Sequence, residues 1–174
     1  HSIGTIERYE LMDPKAAIAA YRQALTDDQT DRAAHGALVE LYTETEAWDD
    51  LCDRLEDYLG VASGAEEIRS TRSQLAQIAT AHGQGLRGAV HALALLNDDQ
   101  LSDAELDLVE DIATKLGDNV LLKAVLERRV RESADPKQQV ECLGRLAALA
   151  ERSGEPKVAI EKLKQGADIA KGMG

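Results

Sequence analysis

The chain has 174 residues, with 32 acidic against 20 basic side chains and a formal charge of −12. That balance argues against nucleic acid as a partner, because neutralising phosphates takes clustered Lys and Arg. Hydrophobic residues at 44% suffice for a sizeable core and argue against disorder, while 3% aromatics and no Phe in an Ala- and Leu-rich chain predict an all-α protein.

In chain order, Ile3 to Leu11 and Pro14 to Leu25 read as a first pair of helices. Asp13-Pro14 places a capping carboxylate ahead of a proline at the first helical position, where its missing N–H costs nothing. From there one phrase recurs without gaps: Ala37-Leu38-Val39-Glu40-Leu41-Tyr42, Gln74-Leu75-Ala76-Gln77-Ile78-Ala79, Asp107-Leu108-Val109-Glu110-Asp111-Ile112 and Arg145-Leu146-Ala147-Ala148-Leu149-Ala150. The spacings from Leu38 to Leu75, Leu108 and Leu146 are 37, 33 and 38 residues, within the range of helix-pair repeats. Each phrase runs to a break, at 45–47, 82–85, 117–119 and 154–156. A second apolar-periodic stretch follows each break: Trp48 to Leu59, Leu86 to Leu96, Val120 to Val130 and Lys157 to Ala170. Ser102-Asp103-Ala104-Glu105 spells a capping box, and Asp135-Pro136 repeats the proline start signal. Five helix pairs are expected, one helical-repeat domain over 1–174, read as a piece of a longer array or multidomain protein.

These phrases resemble the tetratricopeptide repeat, a family of helix pairs of about 34 residues. The second helix of that repeat is most similar to Ala17-Ile18-Ala19-Ala20-Tyr21-Arg22-Gln23-Ala24-Leu25, again to Lys157-Val158-Ala159-Ile160-Glu161-Lys162-Leu163, and more weakly to Ala89-Val90-His91-Ala92-Leu93. Small Ala17, Ala89 and Ala159 would let paired helices approach, with Leu38, Leu75, Leu108 and Leu146 filling the space between neighbours. Leu121 and Leu122 depart from the pattern, standing where a small residue is expected. The resemblance implies an α-α superhelix and protein–protein interaction in its concave face, lined by the first helix of each pair.

Counting from the four core leucines selects the groove-facing positions: Ala37, Glu40 and Thr43; Ser73, Gln74, Gln77 and Thr80; Leu106, Asp107, Glu110 and Ala113; Gly144, Arg145, Ala148 and Glu151. Of these, Glu40, Thr43, Gln74, Gln77, Asp107, Glu110 and Arg145 carry the chemistry for a partner-binding site. Related repeats that clamp a C-terminal carboxylate do so with Lys, Asn and Arg, since a carboxylate needs donors. Gly36, Glu40, Ser73 and Gln77 occupy the corresponding places. A neutral or basic extended peptide is therefore the expected partner, steered by the acidic field. The Lys-rich closing segment from Lys157 also suggests head-to-tail self-association.

No catalytic arrangement is spelled. His1, His35, His82 and His91 adjoin no nucleophile motif, and His82 before Gly83 reads as a helix C-terminal residue. Gly83-Gln84-Gly85-Leu86-Arg87-Gly88 lacks the preceding strand a phosphate loop needs and reads as an inter-helix turn. The eight acids between Glu40 and Asp57 carry no calcium-loop spacing, and Cys52 and Cys142 no zinc spacing, so no metal or cofactor is expected and both cysteines read as buried thiols. Trp48 is assigned to inter-helix packing. No apolar run reaches the roughly 18 residues of a membrane span, so a soluble, cytoplasmic, non-catalytic scaffold without membrane contact is expected. The alternative is a regulatory or substrate-recruiting segment of a larger kinase or caspase-like protease.

Overall fold

The computed structural model describes residues 13–173, and among them every regular element is a helix. We number them α1 Pro14–Asp27, α2 Arg32–Glu44, α3 Trp48–Leu59, α4 Ala65–Ala81, α5 Gly85–Leu95, α6 Asp103–Leu116, α7 Asn119–Glu132, α8 Pro136–Arg152 and α9 Pro156–Lys171. The helix expected over 3–11 lies outside the described residues. The start signals act as their chemistry dictates. Asp13 accepts from the Lys15 and Ala16 amides at 2.9 and 3.3 Å. Asp135 caps α8 through the Lys137 amide at 2.9 Å. Ser102 and Glu105 exchange their reciprocal capping-box bonds. Asp31 and Asp118 cap α2 and α7 in the same way.

The end of the first helix in each hairpin follows one repeated design. The amides of Ala47, Gln84, Asp118 and Glu155 donate back to the carbonyls of Tyr42, Ala79, Ala113 and Ala150 at 2.8 to 2.9 Å. The residue before each donor has positive φ: Glu46 at 54°, Gly83 at 83°, Gly117 at 64° and Gly154 at 76°. Glycine is the residue that takes this left-handed conformation without steric cost, and Glu46 is the exception. The turns recur at 37, 34 and 37 residues.

That spacing corrects the register of the third interval. Leu38, Leu75 and Leu146 are buried as expected, but Leu108 is half-buried and the fully buried residue is Val109. In α6 the buried set is Leu106, Val109, Ile112 and Ala113, so Leu106 and Ala113 face the core and not solvent. The small-residue position slips similarly in α5. Ala17 and Ala159 are fully buried, whereas Ala89 is only half-buried. The close approach belongs to Gly88, where an added Cβ would lie 2.1 Å from Thr80 Oγ1 and 3.0 Å from the Ala76 carbonyl oxygen of α4. Leu121 is buried in α7 with Leu122 half-buried beside it, so that hairpin packs around larger side chains.

The chain divides into two compact units between His91 and Ala92. In the first, Ala17, Tyr21 and Leu25 of α1 pack with Leu38, Leu41 and Tyr42 of α2, Leu51, Cys52 and Leu55 of α3, and Leu75 and Ala79 of α4. In the second, Leu126 of α7 packs with Cys142, Leu143, Leu146 and Leu149 of α8, and α9 seats Ala159 against Ala147 and Ala150. Both cysteines are buried free thiols, and burial pushes each thiol pKa up, which leaves them in the unreactive form. Among the described residues no helix is long and apolar enough to cross a membrane.

Candidate functional site

Once the core register is set by Leu38, Leu75, Val109 and Leu146, the outward stripe of each first helix follows from helical periodicity. On α2 it holds Gly36, Glu40 and Thr43, all exposed, and on α4 Ser70, Gln74 and Gln77. On α6 it holds Asp107, Asp111 and Thr114, and on α8 Gly144, Ala148 and Glu151. Glu40, Thr43, Gln74, Gln77 and Asp107 thus occupy solvent-facing positions. The Thr43 hydroxyl donates to the Val39 carbonyl at 2.7 Å. Asp111, at the position equivalent to Glu40 and Gln77, joins the stripe through the corrected register.

Glu110 and Arg145 are placed differently. Glu110 is largely buried, with its side chain 19% exposed, and it bridges two helices: Oε2 lies 2.9 Å from Arg129 Nε of α7 and Oε1 2.5 Å from Arg145 Nη1 of α8. Arg129 also donates to Asp107. Burial works against the charge of Arg129, but Asp107 and Glu110 outweigh it and hold its pKa above the ordinary guanidinium value. The structure therefore gathers Asp107, Glu110 and Arg145 around a residue that the sequence reading did not single out. Its signal was available: Arg128 and Arg129 fall between the buried Val125 and the half-buried Val130 of an amphipathic helix. Arg128, 4% exposed, donates to the Leu96 and Asp98 carbonyls at 2.9 and 2.7 Å in the segment just beyond α5, satisfying backbone acceptors outside any helix.

In the first unit an equivalent network ties α3 to α5. Arg87 grips Glu56 through Nε and Nη2 at 2.7 and 2.5 Å and reaches Asp53 at 2.7 Å. His91 Nε2 meets the same Glu56 at 3.0 Å. These bonds, first of all that from Arg87, hold the Glu56 carboxyl below the usual carboxylate range. Part of the acidic run from Glu40 to Asp57 is thereby spent on inter-helix pairing, with Asp50 joined to Arg22 at 2.6 Å as a further case. The remaining motifs resolve into packing. Trp48 stacks on His82 with ring centroids 3.7 Å apart and planes 12° from parallel. His82 follows the last residue of α4, and the segment 83–88 is the turn and first residues of α5.

No family model matches this chain, and no curated protein matches it in sequence. Among solved structures it is similar to two crystal structures of MamA. One has a TM-score of 0.52 at 12% identity, covering 99% of this chain and 97% of that chain. The other has a TM-score of 0.51 at 12% identity, covering 97% and 88%. At this identity the likeness speaks for the fold: an all-α, tetratricopeptide-like helical repeat.

Proposed function

We propose that the protein is a non-catalytic interaction module that holds a neutral or basic polypeptide against the outward faces of its first helices: α2 and α4 in one unit, α6 and α8 in the other. The observation that carries this reading is the division of labour within α2, α4 and α6, the outward stripe of α8 being Gly144, Ala148 and Glu151, small but for its acid. Their bulky side chains point into the core, and their outward stripes are polar or acidic: Glu40 and Thr43, Gln74 and Gln77, Asp107 and Asp111. A helical repeat uses such a face for extended partners because it is long and open along the helix rows. The net charge of −12 steers cationic chains by long-range attraction, which salt weakens; on the stripes themselves Asp107 and Asp111 are paired with Arg129 and Lys115. Glu110 and Arg145 contribute by holding α6, α7 and α8 in fixed relation, so that Asp107 is presented from a rigid support. Self-association through the Lys-rich α9 is a weaker member of the same proposal, resting on charge alone.

The test is selection of displayed random peptides on the immobilised chain at low and high salt, repeated with two double variants. Glu40→Lys with Gln77→Lys reverses the charge on the first unit, and Asp111→Lys with Ala148→Lys does so on the second. Enrichment of neutral and basic sequences that weaken with salt, and that either variant depletes, supports the reading. Enrichment of acidic sequences, or selection indifferent to both variants, rejects it.

A further inference from the structure

In α9 the apolar character continues past the face that the helix buries. Ala159 packs against Ala147 and Ala150 of α8, and a Cβ added at Gly166 would lie 3.7 Å from Leu143 Cβ. Val158 and Lys162, further round the helix, line a cleft shared with Asn119 and Lys123 of α7. On the opposite edge stand Ile160 and Leu163, 53% and 51% exposed, with Ala167 and Ala170 exposed beside them. Their spacing of three, four and three residues sets all four in one stripe about 15 Å long. It is the spacing of a seam that another helix fills. Two branched side chains half in water on successive turns differ from the single apolar residues scattered over an ordinary surface.

The flank of the stripe away from α8 carries charge of one sign. Lys157, Lys164 and Lys171 recur every seven residues, so they fall nearly on one line, about 10 Å apart, beside the apolar stripe. All three are exposed, and among the described residues Lys157 and Lys164 have no ion pair. Lys171 meets Asp168 at 3.4 Å, with the two side chains 78% and 76% exposed. Glu161 and Asp168 lie one row further round. We infer that this edge of α9 docks an amphipathic helix of a separate polypeptide. The apolar stripe of that helix sits on Ile160, Leu163, Ala167 and Ala170, and acidic residues at seven-residue spacing face the lysine row. Charge along the flanks is what selects partners where helices pair. A second copy of this chain fits worse. Packed antiparallel, with Ile160 against Ala170 and Leu163 against Ala167, it sets Lys164 beside its counterpart and Lys157 beside Lys171. The formal charge of −12 leaves room for an acidic partner, because at physiological salt fields fade over about 8 Å and the local row dominates. The surface belongs to the second helix of its hairpin and is independent of the peptide reading.

The probes are two synthetic peptides of three heptads, with Leu at the a and d positions and either Glu or Lys at e and g. Each is titrated into the full chain at about 0.15 M salt, followed by anisotropy of a dye on the peptide and by backbone amide NMR. Saturable binding of the Glu peptide that moves α9 amides is the expected result, with the Lys peptide at least about tenfold weaker. Ile160→Ser with Leu163→Ser should weaken the Glu peptide by about tenfold, through lost apolar burial. Lys157→Glu with Lys164→Glu should reverse the preference between the two peptides. Comparing both peptides on the wild-type chain needs no variant and stands if either double variant fails to fold. No saturable binding of the Glu peptide, a Lys peptide that binds as tightly, or shifts confined to other helices would overturn the proposal. So would sedimentation of the chain alone as a dimer that Ile160→Ser with Leu163→Ser converts to a monomer, since a second copy would then be the occupant.

Discussion

Glu46 is the residue at which the repeated hairpin turn departs from glycine, and replacing it isolates a backbone effect. Its φ of 54° matches the left-handed values of Gly83, Gly117 and Gly154, and the closing hydrogen bond from the Ala47 amide to the Tyr42 carbonyl, 2.8 Å, matches theirs. An L-residue held in this conformation costs about 1–2 kcal/mol. Glycine removes that strain but returns about 0.5–1 kcal/mol through the greater freedom of the unfolded chain. Glu46→Gly is therefore expected to stabilise by about 0.5–1 kcal/mol, or a Tm rise of about 1–4 °C for a chain of this length. The reverse change, Gly154→Glu, should cost a comparable amount from the backbone alone, since nothing lies within 4 Å of a Cβ added there. Glu46→Ala is the control: it removes the carboxylate but keeps the Cβ, and should give none of the gain. The assay is urea unfolding followed by circular dichroism. If Glu46→Gly lowers the midpoint, or if Glu46→Ala gains as much, conformational strain is the wrong account.

Further expectations follow from the packing and the ion networks. Gly88→Ala should destabilise by about 1–3 kcal/mol by overpacking. Adding Thr80→Ala should recover only part of this, because the Ala76 carbonyl and the Thr80 amide remain close; full recovery in urea melts would show the backbones to be farther apart. Arg129→Met should cost about 2–3 kcal/mol, since Glu110 is left partly buried without its α7 partner. Arg145→Ala, at a half-exposed site, should cost under about 1 kcal/mol, and equal losses in parallel urea melts would refute this ranking. The His35 pKa is lowered on folding, so the unfolded chain takes up the proton first. Stability should fall as pH drops below about 6.5, the unperturbed histidine value, toward the folded pKa. His35→Gln should flatten that slope between pH 7 and 5.5, and urea midpoints with the same slope in both proteins would contradict it.

Helix positions were legible wherever a local signal carried them. Asp13-Pro14, Asp135-Pro136 and the Ser102 capping box each mark a start through short-range chemistry, and Trp48 to Leu59 coincides with α3 at both ends. Register was harder. In Leu106-Asp107-Leu108-Val109 two overlapping apolar sets compete, and gap-free alignment of the phrases chose Leu108. Aligning Gly117 with Gly83 and Gly154 selects Val109 instead, because the turn, through its φ requirement, is a stricter ruler than the exchangeable apolar residues. The slip from Ala89 to Gly88 has the same origin: both are small, and only the approach of α4 distinguishes them. Arg129 and His35 escaped because polarity alone reads as exposure, whereas burial here is offset by Asp107 and Glu110 in one case and by the Gln29 carbonyl in the other. That offset lies between residues distant in sequence, beyond the reach of periodicity.

The missing side chain at position 88 also acts as a lock on translation. A screw displacement of α5 against α4 by one residue in either direction would bring the β-carbon of Arg87 or Ala89 into the space that now admits only hydrogen. The same displacement would pull the Arg87 guanidinium off its carboxylate clasp on α3. A steric stop and an electrostatic latch, one residue apart, thus hold this hairpin to a single alignment, and mutations that loosen one should be tolerated only while the other is intact.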